Sequence, residues 1–300
     1  MHLNTPLKEI YRILRIWRHN TIENRQIKTY IKNGRKPWSV GYEVYKKDFI
    51  NRVINDDVIL EKFRSNLKLP EKYGEFLDER VVEYPWFLSR VDNKKNKILD
   101  AGSILNYEYI LKHNNLSKKT ITIITLEPEH NCYWRNRVSY MFGDLRKLDF
   151  KDNCFDEVVS LSTIEHIGMD NSIYSENEIF KEKKTFDFMK AVCEFKRVVK
   201  IGGKVYISVP YGKYTDFGWS QQFNKEMIDQ LISTFAPSKL IETYYCYKSG
   251  GWSISDKESC QESSGFNIHE TKYFNSNSIK DYDPDYAAAS RAIAALELWK

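Results

Sequence analysis

Residues 155–171 read FDEVVSLSTIEHIGMDN, and this stretch predicts both the fold and the place of its site. Its first half, DEVVSLS, is a short and mostly apolar run, which is typical of a buried strand. Its second half is charged and turn-like, and it brings Glu165, His166, Gly168 and Asp170 directly after that strand. We therefore expect a strand that crosses the core and delivers an acid and an imidazole at its exit.

Three further apolar runs extend this pattern along the chain. NKILDAG (96–102) and TITIITLE (Thr120–Glu127) precede the opening stretch, and GKVYISVPYG (Gly203–Gly212) follows it. A helix is expected from about Lys184 to Lys200, with the pair Gly202-Gly203 as its C-terminal cap. Strands that alternate with helices predict an α/β fold, with a parallel sheet covered by helices on both faces.

The N-terminal third of the chain has a different pattern. Residues 6–24 and 41–66 are expected to be helical. We therefore predict that residues 1–95 form a helical extension or lid and that residues 96–300 form the domain with the sheet. Residues 1–50 carry eleven Lys/Arg against four Asp/Glu, which fits a solvated helix face or a contact with an anionic partner.

Composition and cysteine usage exclude several classes of protein. The chain has 300 residues, of which 42% are apolar and 29% charged, and this is enough for a substantial core. It contains no apolar run of the length of a transmembrane helix, and its N-terminus lacks the pattern of a signal peptide, so we expect neither. The five cysteines include no CxxC pair, which argues against a zinc module or a disulfide framework and favours a reducing cytoplasm.

Polar residues follow each expected strand, and the carboxyl ends of parallel strands meet at one edge of a sheet, where ligands bind. In chain order these residues are Asp100, Gly102, Ser103, Asn106, Glu127, Glu129, Ser162, Thr163, Glu165, His166 and Tyr211, and Asp144 lies in GDLRKLDF between the second and third expected strands. Acids at successive exits suit a nucleoside-like ligand, because carboxylates accept hydrogen bonds from ribose hydroxyls and from an exocyclic amine. They suit a pyrophosphate poorly, because like charges repel.

Taken in order, the stretches LDAGS, TLEPE, GDLRKLDF, FDEVVSLSTIEHIG and EFKRVVKIGGKVYISVPYG resemble a class I S-adenosylmethionine-dependent methyltransferase. The resemblance covers about residues 78–212 and is to a branch associated with bacterial sugar, capsule and surface-polysaccharide biosynthesis. DERVVEYPWFLSR (Asp78–Arg90) resembles a further pattern of that branch. The resemblance implies a Rossmann-like, doubly wound, mostly parallel seven-stranded sheet with an antiparallel last strand. That strand would be AAASRAIAALELWK, although its composition favours a helix.

The resemblance also implies roles for the residues of the first loop. Asp100, Gly102 and Ser103 would hold the methionine part of the cofactor, S-adenosylmethionine, although Asp100 could instead cap a helix. The loop has one glycine where the family has two or three, and Ile104 and Asn106 stand at positions that are usually small. A non-catalytic relative with an altered cofactor site is therefore an alternative to an enzyme.

The later motifs imply the rest of the cofactor site. Glu127 would bind the ribose hydroxyls, with Glu129 as a competitor for that role. Asp144 would accept the adenine amine, or would only begin a turn, and Leu145 would lie beside the adenine ring. Ser162 and Thr163 would lie beside the cofactor.

On the acceptor side, Glu165 and His166 would face the substrate and are predicted to be catalytic. A hydroxyl acceptor must lose its proton as the carbon–oxygen bond forms, and imidazole has a suitable pKa, so His166 is the predicted general base. A structural histidine is the alternative. Asp170, Asn171 and Tyr211 are expected to bind substrate, and no metal site is expected.

The sequence thus predicts an enzyme that transfers a methyl group to a hydroxyl of a small polar acceptor. The expected acceptors are a sugar, a nucleotide-sugar or a phosphorylated precursor. The alternatives are N- or O-methylation of another metabolite such as a capsule phosphoramidate precursor, a non-catalytic binding subunit, and an oxidoreductase, which the missing GxGxxG disfavours. No nucleic-acid partner is expected, and a cytoplasmic location and a homodimer fit this interpretation.

Overall fold

A single sheet of eight strands forms the centre of the computed structural model, which describes residues 21–175, 178–248 and 250–300. The spatial order of the strands is β3-β2-β1-β4-β5-β10-β8-β9. Two further strands, β6 and β7, pair with each other outside this sheet. The strands are β1 (Lys97–Ala101), β2 (Thr120–Thr125), β3 (Val138–Phe142), β4 (Phe155–Leu161), β5 (Val199–Pro210), β6 (Thr215–Asp216), β7 (Gln221–Gln222), β8 (Lys239–Lys248), β9 (Gly251–Ser255) and β10 (Ala292–Trp299).

The first five strands run parallel, and the last strand of the chain runs against its neighbours. β1 pairs with β2 and β4, β2 pairs with β3, and β4 pairs with β5, all in parallel. β10 lies between β5 and β8 and is antiparallel to both. The predicted doubly wound α/β sheet is therefore confirmed. The C-terminal segment forms a strand despite its helical propensity, because it is buried between two other strands, and such packing overrides propensity.

The sheet has eight strands where seven were expected. The additional strand is β9, which pairs antiparallel with β8 at the edge of the sheet. The chain reverses through Gly250 and Gly251, whose φ angles of +109° and +122° are ones that L side chains rarely adopt. Trp252 follows this turn, is 2% exposed and donates its Nε1–H to the carbonyl of Leu77, so it belongs to the core.

Helices cover both faces of the sheet. Residues 21–32 are helical and are labelled α1, whereas the rest of the helix predicted over residues 6–24 lies outside the described residues. The others are α2 (Tyr42–Ile54), α3 (Asp57–Arg64), α4 (Arg80–Arg90), α5 (Glu108–Leu111), α6 (Ser172–Ser175), α7 (Phe188–Val198), α8 (Lys225–Phe235) and α9 (Lys257–Cys260). None of the helices in the described part of the chain is long and apolar enough to cross a membrane.

The expected glycine cap of the helix before β5 is wrong. α7 ends at Val198, and Val199 is already extended, with φ −74° and ψ 141°. Gly202 and Gly203 instead lie within β5, where the N–H of Gly202 donates to the carbonyl of Lys300. The backbone therefore passes from helix to strand without a left-handed cap.

Two apolar cores lie on the two faces of the sheet. Successive residues of a strand alternate between them, so that Ile98 belongs to one core and Leu99 to the other. Residues of α2, α3 and α4 share the first core with Ile98, and residues of α7 and α8 share the second with Leu99. The division into residues 1–95 and 96–300 stays a prediction.

Candidate active site

The carboxyl ends of the parallel strands surround a cavity of about 520 Å³, which we name the strand-end cavity. Its volume is within the range of small-molecule sites in proteins. Most of the predicted cofactor residues line it together, namely Gly102, Ser103, Glu127, Asp144, Leu145, Ser162 and Thr163. The structure thus brings residues from four successive segments of the chain to one edge of the sheet.

Asp100 is the predicted cofactor residue that does not line this cavity. Its side chain is fully buried and accepts hydrogen bonds from the backbone N–H groups of Ile104, at 3.1 Å, and Leu105, at 2.8 Å. Burial raises the pKa of the Asp100 carboxyl to about 7, although these two donors act in the opposite direction. Asp100 therefore shapes the first loop from inside instead of facing a ligand.

Gly102 allows the first loop to pass very close to the strand beside it. Its φ angle is +122°, and a Cβ atom at this position would lie 2.4 Å from Cγ2 of Thr163. Ser103 follows with φ +61°. The turn thus needs a glycine at its tightest point, and the backbone that leaves it lines the cavity.

The glycine-poor sequence of this loop is accommodated by side-chain anchors. Ile104 is 7% exposed and packs into the core, and its carbonyl accepts the hydroxyl proton of Tyr84. Asn106 donates to Glu129 and accepts from Tyr140. The larger residues therefore turn inward, and the strand-end cavity stays open beside the loop.

Glu127 follows β2 and has its carboxylate available. The side chain lines the cavity and makes no hydrogen bond or ion pair with any described residue, whereas Glu129 already accepts from Asn106. Two carboxylate oxygens without partners can accept two neighbouring hydroxyls. Glu127 therefore fits the predicted ribose contact better than its competitor.

Asp144 is bound by the arginine two residues later. Its oxygens accept from the backbone N–H of Arg146 and from the guanidinium, at 2.7 to 3.0 Å. Burial alone would raise the pKa of the Asp144 carboxyl, but these bonds more than offset it and the pKa is lowered. Leu145 is 8% exposed and lines the cavity with Ile167, as apolar neighbours of a flat ring would. An adenine amine would have to share Asp144 with Arg146.

A buried carboxylate that sequence reasoning missed organises the exit of β4. Glu83, on α4, is fully buried, and its Oε1 accepts from Ser162 Oγ at 2.5 Å and Ser208 Oγ at 2.6 Å. Its Oε2 accepts from Arg80 Nη1 at 2.6 Å. The hydroxyl of Ser162, predicted to lie beside the cofactor, is therefore committed to Glu83. In the sequence, the only indication of a role for Glu83 was its place in the DERVVEYPWFLSR pattern.

A second cavity, of about 570 Å³, adjoins the first and is named the aromatic cavity. Trp38, Tyr84, Tyr107, Tyr109, Tyr174, Phe217, Trp219 and Phe266 contribute rings to its wall. Arg80, Ser162, His166 and Tyr174 line both cavities. The two spaces thus meet at the exit of β4, where the opening stretch of sequence predicted the site.

His166 lies at this junction in a defined tautomer. Its Nδ1 is 3.0 Å from the carbonyl oxygen of Trp219, and because a carbonyl only accepts, Nδ1 carries the proton. The ring stacks on Trp219, with centroids 5.1 Å apart. Burial lowers the pKa of His166 to about 4, and the hydrogen bond to Trp219 offsets only part of this effect. The imidazole is therefore neutral near pH 7, with a lone pair on Nε2.

Glu165, the neighbouring acid, is buried and also lines the aromatic cavity. Its Oε1 is 3.9 Å from Nε2 of His166, which is beyond hydrogen-bond distance, and its Oε2 has no partner among the described residues. Burial raises the pKa of the Glu165 carboxyl well above its ordinary value. Burial therefore disfavours the charged form of both the acid and the imidazole, and no described residue donates a hydrogen bond to Nε2.

The three predicted substrate residues lie in different places. Asn171 lines the strand-end cavity and donates to the carbonyl of His166 at 2.8 Å, so it supports the site. Asp170 lines neither main cavity and accepts from the N–H and hydroxyl of Ser172. Tyr211 is fully buried against Tyr244 and also lines neither cavity. Its position after β5 suggested an exposed exit, but the chain turns there into the core.

No group of three or more His, Cys, Asp or Glu side chains that could hold a metal ion occurs within residues 21–175, 178–248 and 250–300. Comparison with known families gives a match over residues 105–207 to a family described as a methyltransferase domain. No curated protein matches the chain.

Several solved structures are similar to the chain at low identity. One is the Burkholderia thailandensis 1,6-didemethyltoxoflavin-N1-methyltransferase with S-adenosylhomocysteine, at 12% identity and a TM-score of 0.40, covering 69% of this chain and 72% of that one. Another is the Haemonchus contortus phosphoethanolamine N-methyltransferase 2 with S-adenosylmethionine, at 17% and 0.37, covering 65% and 45%. A third is a possible histamine N-methyltransferase from Thermotoga maritima, at 10% and 0.41, covering 84% and 99%. Similarities of this size say nothing about the acceptor.

Proposed function

We propose that the protein is an S-adenosylmethionine-dependent methyltransferase and that it transfers the methyl group to a hydroxyl of a small polar acceptor, a sugar or a glycan precursor, bound in the aromatic cavity. The observation that carries the proposal is the neutral His166 at the junction of the two cavities. The cofactor, when bound, supplies an electrophilic methyl group. The residues of this chain then have to align the acceptor with it and take up one proton.

The strand-end cavity fits the cofactor on two observations. Glu127 has free oxygens for a ribose, and Gly102 forms a close approach that a Cβ would fill. Glu127, Leu145 and the loop at Gly102 and Ser103 would hold the adenosine and methionine parts, with Thr163 beside them. Asp144 would take the adenine amine jointly with Arg146.

His166 is the proposed proton acceptor for the hydroxyl. The Trp219 carbonyl fixes the Nδ1–H tautomer, so Nε2 is the atom that can accept. A hydroxyl becomes strongly acidic as its oxygen is methylated, so a weak base that is unprotonated at neutral pH is sufficient. Glu165 is buried beside it with a raised pKa and, in its protonated form, would donate a hydrogen bond to an acceptor oxygen.

The aromatic cavity fits a sugar-like acceptor better than a phosphorylated one. Aromatic rings provide faces for the apolar side of a sugar ring, and Glu79 and Glu165 provide partners for its hydroxyls. The lysines that line this cavity are already paired, Lys46 with Asp78 at 2.7 Å and Lys47 with Glu23 at 2.8 Å. Arg80, at the junction of the two cavities, is then the remaining cation for a nucleotide-sugar or phosphoramidate precursor, which is therefore the weaker proposal.

An amine acceptor is the second candidate. Oε2 of Glu165 is buried without a partner among the described residues, and an ammonium group could pair with it. The two candidates differ in their products, because one yields an O-methyl ether and the other an N-methylated amine.

The proposal also includes the setting in which the enzyme acts. It comprises an association with capsule or surface-polysaccharide biosynthesis, a cytoplasmic location, and the lack of a nucleic-acid partner.

The test is turnover by the His166→Gln variant against a panel of neutral sugars, amino sugars and sugar phosphates, with S-adenosylhomocysteine release as the readout. We expect a neutral sugar class to be methylated, turnover to fall about 10²- to 10⁴-fold in the variant, and cofactor affinity to be unchanged. The control is Tyr211→Phe, which removes a hydroxyl that faces neither cavity. Equal turnover in wild type and His166→Gln, or methylation of sugar phosphates alone, would contradict the proposal.

A further inference from the structure

Arg80 occupies the boundary between the two cavities. It is the first residue of α4, lines both the strand-end and the aromatic cavity, and has a side chain that is 24% exposed. It lies in the DERVVEYPWFLSR segment, to which the proposed function assigns no role. A charged group at this place would be within reach of the cofactor and of the acceptor.

One edge of the Arg80 guanidinium is fixed by buried groups. Nη1 donates to Glu83 Oε2 at 2.6 Å and to the carbonyl oxygen of Leu161 at 3.1 Å. Glu83 is itself held by Ser162 and Ser208. The position of the guanidinium is therefore set before any ligand arrives.

The other donors of Arg80 are open. Nε and Nη2 have no hydrogen-bond partner among the described residues, and neither atom is fully buried. Arginine stays charged at any physiological pH, and its forked N–H groups match the two oxygens of a carboxylate. An arginine with open donors in a cavity is thus prepared for an anion.

The second arginine of the strand-end cavity is not prepared in this way. Arg146 is already bound by Asp144, Glu182 and Asp187, at 2.6 to 2.8 Å. Arg80 is therefore the cavity's one cationic side chain with free donors in the described part of the chain. It also shares this cavity with the turn at Gly102 and with Thr163.

We propose that Arg80 binds the carboxylate at the methionine end of S-adenosylmethionine. This inference rests on the proposed function, in which S-adenosylmethionine is the cofactor. It adds the residue that fixes the amino-acid end of the cofactor at the junction of the two cavities. Arg80, held from behind by Glu83, thereby sets how far the reacting end of the cofactor reaches toward the aromatic cavity.

The test compares two ligands by calorimetry, S-adenosylhomocysteine and 5′-methylthioadenosine, which lacks the amino-acid end. In Arg80→Gln we expect about 10- to 100-fold weaker binding of S-adenosylhomocysteine, the range for loss of a charge-assisted contact, and unchanged binding of 5′-methylthioadenosine. Arg80→Lys keeps the charge but lacks the forked N–H groups, so its affinity for S-adenosylhomocysteine should lie between those of wild type and Arg80→Gln. Arg52→Gln, on the exposed surface of α2, is the matched control and should bind both ligands as wild type does.

Three results would overturn the inference and leave the proposed function standing. Parallel loss of both ligands in Arg80→Gln would show a general structural role, and unchanged affinity for both would show no contact. If only the stabilisation of the protein by inorganic phosphate were lost, Arg80 would bind an anionic acceptor instead. If the wild-type protein bound neither ligand, the assignment of the cofactor would be wrong, and the proposed function would fail with it. Failure of the proposed function can therefore be distinguished from failure of the inference about Arg80.

Discussion

Gly102 shows how a single missing side chain keeps the strand-end cavity open. Gly102→Ala would place a methyl group 2.4 Å from both Cγ2 and Oγ1 of Thr163, in a backbone conformation that alanine disfavours. We expect at least a tenfold loss of affinity for S-adenosylhomocysteine, measured by calorimetry. Gly34→Ala is the matched control, because Gly34 also has a positive φ, of +80°, but a Cβ atom there would have nothing within 4 Å. Comparable losses in both variants would mean that strain alone, and not the contact with Thr163, is responsible.

Glu165 links the site to the pH dependence of stability. Burial raises the pKa of its carboxyl in the folded state, so its contribution is fully present below the unfolded-state pKa, near 4.5, and is lost as the pH rises toward the folded-state value. Glu165→Gln does not titrate. The variant should therefore gain free energy of unfolding relative to wild type as the pH is raised from 5 to 8.

Urea denaturation of both proteins at three pH values within that range measures this difference. Glu178→Gln, at a side chain that is 83% exposed, serves as the control for loss of a carboxylate. A difference between Glu165→Gln and wild type that is constant with pH, or that shrinks as the pH rises, would rule out a buried neutral carboxyl.

The sequence predicted the residues of this site better than their orientation. Glu127 and His166 could be placed because each follows an apolar run that forms a strand, whereas Asp144 was placed by the resemblance of GDLRKLDF to a family motif. Asp100 follows such a run too, but its carboxylate turns back to the N–H groups of Ile104 and Leu105. The pattern of apolar and polar residues along the chain predicts where a residue leaves the sheet. It does not predict the hydrogen bonds that turn the side chain inward or outward.

Helix α4 is the element that connects the N-terminal helices to the sheet. All but its first and last residues are buried, and its last, Arg90, forms an ion pair with Glu297 of β10 at 2.7 Å, with both side chains about 5% exposed. Removal of one member of such a pair leaves an unpaired buried charge. We expect Arg90→Met to lower the free energy of unfolding by about 3–5 kcal/mol in urea denaturation.

Two controls accompany this prediction. Arg52→Gln breaks the exposed pair with Asp48 and should cost less than about 1 kcal/mol. The double variant Arg90→Met/Glu297→Leu should recover much of the loss, because an apolar pair replaces both charges. If the double variant were as unstable as the sum of the two single variants, the ion pair would not be the source of the effect.

At the level of elements, apolar runs were sufficient to predict β1, β2, β4 and β5. The last strand needed the resemblance, because its composition favours a helix and only its place between two strands decides the outcome. β9 was missed because its sequence, GWSIS, is too short and too polar to stand out as an apolar run. The partners of α4 could not be predicted, since Glu83 meets Ser162 and Ser208 across 79 and 125 residues of sequence.

The whole molecule depends on the shared core between the N-terminal helices and the sheet. Phe87 of α4 packs edge-to-face on Tyr206 of β5 at 5.2 Å, and Tyr84 bonds to the loop at Ile104. Without residues 1–95, one apolar face of the sheet would be uncovered. We therefore predict that residues 96–300 do not fold alone.

A protease site inserted between Asn93 and Lys94, in an exposed turn, tests this prediction. After cleavage, the two pieces should stay together in native gel filtration and unfold as one cooperative unit, because the shared core and the Arg90–Glu297 pair remain. Residues 96–300 expressed alone should lack a cooperative thermal transition and should not bind S-adenosylhomocysteine, since Glu83 and Arg80 are missing from the junction. A sharp transition and cofactor binding by that fragment would show that the sheet is an independent domain and that the helices are only a cover. The mass of the intact protein in the same gel filtration decides the homodimer, which stays a prediction.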